Sequence, residues 1–281
     1  MASASPQASP DANLQETRSS RPITVPDFLS ARSRGVRLTM LTAYDYTMAR
    51  LLDEAGVDSI LVGDSLGMVV QGNANSLSVT LDEMIYHTKC VARGVRRALV
   101  IADLPFMTYQ VGPQQALESA GRLIKEAQAQ AVKMEGGERA AELVAAVTKA
   151  DIPVMGHIGL TPQSIHRLGG FRVQRDEDRL VRDALAIEQA GAFAIVIECV
   201  PADLATRITS LVKIPTIGIG AGVGCDGQVL VVQDMLGMYH DLHPKFVKQY
   251  ADVGTVVRRA VATYCQEVKK SQFPTDETSF H

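Results

Sequence analysis

From residue 37 to residue 234 the chain alternates between two kinds of stretch. Short runs are apolar at odd and even positions alike, as strands buried on both faces must be. Longer stretches repeat their apolar residues every three or four positions, as helices with one buried stripe do. The strand-like runs are RLTMLTAYD (37–45), SILVGD (59–64), ALVIAD (98–103), AVKMEG (131–136), PVMGHIG (153–159), AFAIVIEC (192–199), PTIGIGAG (215–222) and QVLVVQD (228–234). Helical spacing precedes Gly56 and recurs near 81–95, 113–128, 138–150, 177–190, 204–212 and 246–270. Thr80 and Glu83 have the spacing of a capping box, which gives Glu83 a structural role. Eight β/α steps without a polar-faced strand predict a single closed (β/α)8 TIM barrel over an open doubly wound sheet. No G-x-G-x-x-G joins the first strand to the first helix, so the usual reason for a dinucleotide-binding fold is missing.

Several of these strands end in charge. Asp64, Asp103, Glu135 and Glu198 close the second, third, fourth and sixth runs, and His157 lies near the end of the fifth. In a parallel barrel all strands finish on one face, and that face carries the active site. One such carboxylate would be read as a helix cap, but four on near-consecutive strands point to a shared site. Asp64, Asp103 and Glu135 would repel one another without a cation, and an all-oxygen set suits Mg²⁺ better than zinc. Lys133 lies two residues before Glu135, about 7 Å along the same side of the strand. It either snorkels outward or points into the barrel, and the inward reading matches a mouth-facing Glu135. His157 reads equally as a core histidine or a ligand contact. Glu198, two strands beyond Glu135, has the placing of a general base near a metal-bound substrate. Together these residues predict an enzyme that binds a small anionic chelator on Mg²⁺ and takes a proton from beside a carbonyl. A barrel kept only for binding has no need of clustered carboxylates.

Composition narrows the setting. The 281 residues are 46% hydrophobic and carry a net charge of −3, with basic residues scattered, so no nucleic-acid surface is expected. No run reaches the roughly 20 apolar residues of a membrane helix. Cys90, Cys199, Cys225 and Cys265 lie far apart, which fits a reducing, cytoplasmic setting. Cys199 follows Glu198 in a strand and should face away from it as an inert buried thiol. Residues 1–20 are rich in Ser, Ala and Pro and read as a disordered arm, 21–271 as the catalytic barrel and 272–281 as a tail.

LTAYDY, VGDSLGMVVQG, ADLPFMTY, VKMEGGE, GHIGLTPQS, GGFRVQ, ECVP and IGIGAG…CDGQVLV stand in one order from about Thr24 onward. In order and spacing they resemble the ketopantoate hydroxymethyltransferase family. That resemblance implies a barrel of the phosphoenolpyruvate mutase and isocitrate lyase type, Mg²⁺ as cofactor and methylenetetrahydrofolate as co-substrate. The implied product of 3-methyl-2-oxobutanoate is ketopantoate, and the implied assembly is a homo-oligomer, commonly a decamer. Carried over by motif, Asp64, Asp103 and Glu135 would be metal ligands. Asp64, Ser65, Asp103, Lys133 and His157 would meet the keto acid, and Glu198 would accept the proton. The resemblance weakens at NANSLSVT and at Arg175, both in loops expected over the mouth. An isocitrate lyase type of carbon–carbon lyase is the main rival, yet its lysine-lysine-cysteine-glycine-histidine stretch has no match here.

Overall fold

The computed structural model describes residues 21–239 and 244–281; the arm expected over 1–20 lies outside the described residues. Helix α1 (Val25–Ser33) precedes strand β1 (Leu38–Thr42), followed by α2 (Tyr46–Ala55), β2 (Ser59–Val62), α3 (Leu66–Val69) and α4 (Leu81–Gly94). Next come β3 (Leu99–Asp103), α5 (Pro113–Ala127), β4 (Ala131–Glu135), α6 (Ala141–Thr148) and β5 (Val154–Gly159). Helices α7 (Ile165–Leu168) and α8 (Glu177–Gln189), strand β6 (Ala194–Glu198) and helix α9 (Ala202–Leu211) follow. Strands β7 (Thr216–Ile219) and β8 (Gly227–Leu230) and helices α10 (Val232–Met235) and α11 (Val253–Lys269) complete the series. Each strand pairs in parallel with the next, and β8 closes onto β1 through the register Leu38↔Gly227 to Leu41↔Leu230. The expected barrel is present.

Two-faced burial follows the alternation of side chains along each strand. Met40, Leu61, Leu99, Ile101, Met155, Val196 and Val229 form one buried cluster, which fills the barrel. Ile60, Val62, Val100, Val132, Val154 and Ile195 belong to the other, between strands and helices. Helix α1, which periodicity does not reveal, belongs to the inner cluster. Thr24 and Asp27 cap it reciprocally, and buried Phe28 meets Phe193 edge-on at 5.7 Å between ring centroids. Arg32 donates to the carbonyls of Thr209, Val212 and Ile214 and so fastens α1 beside the start of β7.

Thr80 and Glu83 do form the expected capping box: Thr80 N–H donates to Glu83 Oε2 at 2.7 Å, and Glu83 N–H to Thr80 Oγ1 at 3.2 Å. Thr80→Ala orphans an N–H at the start of α4 and should lower stability by about 1 kcal/mol in denaturant unfolding. An unchanged midpoint would remove the cap from the stabilising contacts.

The C-terminal part departs from expectation. The run 228–234 breaks after Leu230, because Val232–Met235 turns into helix and takes Asp234 off the strand. The last helix begins at Val253, not near 246, and none of its residues is buried. Val257, Val261, Tyr264 and Val268 fall on one stripe of α11, each 44–56% exposed. Correspondingly Thr39 on β1 and Gln228 on β8 are exposed, so among the described residues the seam where the barrel closes has little cover outside.

Candidate active site

Every charged residue singled out on a strand has inward parity. Asp103 matches Leu99 and Ile101; Lys133 and Glu135 match Ala131; His157 matches Met155; Glu198 matches Val196. Register sets them side by side, with Asp103 opposite Lys133 and Glu135 opposite His157. Asp64 stands two residues past β2 and is buried. Its approach to Asp103 depends on Gly63, where a Cβ would come within 2.8 Å of Ser65 Oγ and 3.4 Å of Asp103 Oδ2. Asp64 N–H then donates to Asp103 Oδ2 at 3.1 Å. Ser65 Oγ lies 2.8 Å from the hydroxyl of buried Tyr44.

The resulting network is dense and charged. Lys133 Nζ is 2.9 Å from Asp103 Oδ1 and 3.2 Å from His157 Nδ1. His157 lies 3.5 Å through Nδ1 from Glu135 Oε1 and 3.2 Å through Nε2 from Glu198 Oε2. The second contact is a charge contact without hydrogen-bond alignment, since Nε2 has no aligned partner. Burial and the Lys133 charge push the His157 pKa down, but Glu135 and Glu198 overcome both and hold it up at about 9. Whether Nδ1 accepts from Lys133 or carries its own proton, Nε2 is protonated toward Glu198. Burial opposes charge on Lys133 too, yet Asp103, Glu135 and Asp64 together raise its pKa and keep it an ammonium.

The carboxylates differ among themselves. Burial, then Asp103 and Glu135, holds the Asp64 carboxyl well above the ordinary range. Asp103 is raised chiefly by burial, against the pull of Lys133. Burial pushes Glu135 up as well, but the His157 hydrogen bond and charge, with Lys133, bring it below its usual value. Among the described residues no group of three or more His, Cys, Asp or Glu side chains already grips an ion-sized point. Protein donors occupy part of each carboxylate instead.

A cavity of about 420 Å³ opens over this network. Asp64, Ser65, Lys133, Glu135, His157 and Glu198 line it, whereas Asp103 is absent from the lining. Around the charged groups the wall is apolar, with Met68, Val69, Phe171, Val173 and Phe246. The structure thus brings all seven expected residues to one site at the C-terminal ends of the strands.

Sequence comparison decides between the enzymes such a site can serve. The profile of the ketopantoate hydroxymethyltransferase family matches residues 22–276. The chain belongs to that family. A 3-methyl-2-oxobutanoate hydroxymethyltransferase of Clostridium novyi is 57% identical over 261 residues, covering 92% of this chain and 95% of the relative. One from Pelobacter propionicus is 55% identical over 262 residues, covering 92% and 97%. Among solved structures, a phosphonopyruvate hydrolase complexed with oxalate and Mg²⁺ superposes with a TM-score of 0.58 at 16% identity, covering 91% of this chain and 93% of that one. A 2,3-dimethylmalate lyase of the PEP mutase/isocitrate lyase superfamily gives 0.58 at 16% identity, covering 91% of both chains. At such identities these two share the fold.

Within this hydroxymethyltransferase family member, one expectation fails and three residues come to light. Cys199 does not turn away from Glu198 but lines the same cavity, because its φ of 48° takes it out of the strand alternation. Its thiol is still inert, pushed up to about 12 by burial and the adjacent Glu198. Tyr44, Tyr109 and Gln163 hold functional side chains in place, yet all three are neutral, and charge at strand ends could not single them out. The motifs LTAYDY, ADLPFMTY and GHIGLTPQS contain them and are the signal that could have.

Proposed function

We propose that this chain transfers a hydroxymethyl group to 3-methyl-2-oxobutanoate, giving 2-dehydropantoate (ketopantoate), with methylenetetrahydrofolate as the one-carbon donor. The family match over residues 22–276 carries this reading. The convergence of two cations, four carboxylates and one hydroxyl at the barrel mouth supports the chemistry. Turnover of the keto acid with methylenetetrahydrofolate, followed by mass spectrometry, is the direct test. Failure to form ketopantoate while a carbon–carbon lyase substrate is cleaved would favour the rival.

Asp64, Asp103 and Glu135 fit an oxygen-loving divalent cation, Mg²⁺ first. The donor set supports the fit: Gln163 donates to one oxygen each of Asp64 and Glu135, and among the described residues no amide donates to Asp64 Oδ1. When bound, the cation would draw charge from the keto acid's two oxygens and make the neighbouring C–H more acidic. Lys133 supplies the fixed positive charge for the substrate carboxylate, and Ser65, steadied by Tyr44, supplies a hydroxyl. Glu198 Oε2 accepts the proton from C3, with the protonated His157 Nε2 holding the carboxylate in place. The carbon freed of its proton bonds to the folate's methylene carbon as one of that carbon's two bonds to nitrogen breaks. Water then displaces the other nitrogen, supplying the hydroxyl oxygen and releasing tetrahydrofolate.

No described helix is long and apolar enough to cross a membrane, and a cytoplasmic location goes with this reading. We also propose a homo-oligomer in which a second copy of the chain covers α11. Among the described residues its apolar stripe stays 44–56% exposed, with only Tyr264 meeting a ring of its own chain, Phe273, and the β8–β1 seam is exposed at Thr39 and Gln228. Replacing Val257 and Val261 together by Asp should yield smaller particles in sedimentation velocity. Particles of unchanged size would place the contact elsewhere.

A further inference from the structure

Gln163 touches two of the three carboxylates assigned above to a cation, and it lies in the turn Pro162–Ser164 after β5 with its side chain buried. Nε2 donates to Asp64 Oδ2 and to the carbonyl of Leu104, both at 2.9 Å. Oε1 accepts from Tyr109 Oη at 2.7 Å and from Gln110 Nε2 at 3.1 Å. Its backbone N–H donates to Glu135 Oε2 at 3.0 Å. The Leu104 carbonyl can only accept, so the amide has one workable orientation, with Nε2 toward Leu104 and Asp64. Tyr109 secures the far side: buried itself, its hydroxyl also accepts from Glu135 N–H at 3.2 Å and lies 3.1 Å from Glu135 O. One residue thereby ties the loop after β2, the residue after β3 and the end of β4 to the loop after β5.

The chemical type of this tie matters. Lys133 neutralises the carboxylate it touches, whereas a neutral amide fixes rotation and leaves the negative charge intact for an incoming cation. Holding Oδ2 of Asp64 also leaves Oδ1 as the oxygen without a protein donor. We propose that Gln163 is a positioning residue that presets the Asp64 and Glu135 carboxylates for joint uptake of a divalent cation and the keto acid. Its amide sets the first and its backbone N–H the second. This rests on the metal reading of the preceding section.

The test uses Mn²⁺ as probe on the full chain, titrated by calorimetry and by electron paramagnetic resonance, with and without the keto acid. Gln163→Met keeps the length and removes both ends of the amide; it should weaken Mn²⁺ binding about tenfold or more and change the bound-ion spectrum. The KM for the metal should rise more than kcat at saturating metal falls, and far-ultraviolet circular dichroism should stay as in the wild type. Tyr109→Phe frees only the acceptor side of the amide and should lie between. If Gln163→Met folds poorly, Gln163→Leu, which also removes both ends of the amide, tests the same point with the same expected loss. Wild-type affinity and spectrum in a folded Gln163 variant overturn the proposal while leaving the metal reading standing. A wild-type protein that binds no Mn²⁺ even with the keto acid overturns both.

Discussion

With keto acid and Mg²⁺ but no folate, the wild-type protein should exchange the substrate's C3 hydrogen slowly with deuterated water, and Glu198→Gln should cut that exchange by roughly 10²-fold or more. The exchange isolates proton removal from one-carbon transfer. Glutamine preserves the shape of the side chain that lies 3.2 Å from His157 Nε2 at the cavity wall, so substrate and metal should still bind. Only basicity is lost. Glu198→Asp withdraws the carboxylate by one methylene and should be impaired less than Gln, because a base out of reach still acts in the fraction of encounters that bring it close. Nuclear magnetic resonance of the C3 signal reads all three proteins. A Gln variant that matches the wild type would move the base to another group. Absence of exchange in the wild type would mean that folate must bind before the proton leaves.

Asp64→Ala should abolish the divalent-dependent binding of the keto acid and yet leave a folded barrel. Its effect on stability has a worked-out sign. The folded site holds the Asp64 carboxyl well above its ordinary range, through burial and then Asp103 and Glu135. A raised carboxyl pKa means that the unfolded chain ionises first, so at neutral pH this group opposes folding of the metal-free protein. Removing it should help there and give no such help below about pH 4, where the carboxyl is protonated in both states. Against this, Gln163 Nε2 loses one of its two acceptors, which costs about 1–3 kcal/mol if nothing replaces it. A full carboxylate held in a buried, like-charged site costs more than one lost acceptor, so the net gain at neutral pH should survive. Melting temperatures in chelator at pH 4 and pH 7 test it. An alanine variant less stable than wild type at pH 7 would show the amide tie outweighing the charge, and undiminished turnover in excess chelator would end the metal reading.

Strand ends were the legible part of this site. A strand buried on both faces makes an unpaired charge costly, so the carboxylates Asp103, Glu135 and Glu198 at the last strand positions announce where each strand meets the mouth. Alternation also placed Lys133 on the side of Glu135, which the register bears out. It misled at Cys199, because a positive φ breaks the two-residue repeat on which such reasoning stands. Helix α1 escaped for another reason. Nine residues with a proline at the start and a single buried aromatic carry too few turns for a helical period to emerge. Periodicity did place a helix near 246–270 with an apolar stripe, but a stripe states that cover is needed and not which surface provides it. Gln163 was opaque because a neutral amide in a turn resembles any solvated loop residue until its partners are visible.

The closure of β8 onto β1 also sets a clock. Leu38 cannot find Gly227, nor the Val232 amide its acceptor on Thr42 across a separation of 190 residues, until nearly the whole barrel has left the ribosome. At roughly 5–20 residues per second that interval is about 10–40 s. Throughout it the first strand holds one edge unpaired while β2 through β7 queue on the other. Phe28 shares this wait, since its neighbour Phe193 emerges only shortly before β6. A nascent chain arrested before residue 227 therefore carries all seven mouth residues and no closed barrel to hold them.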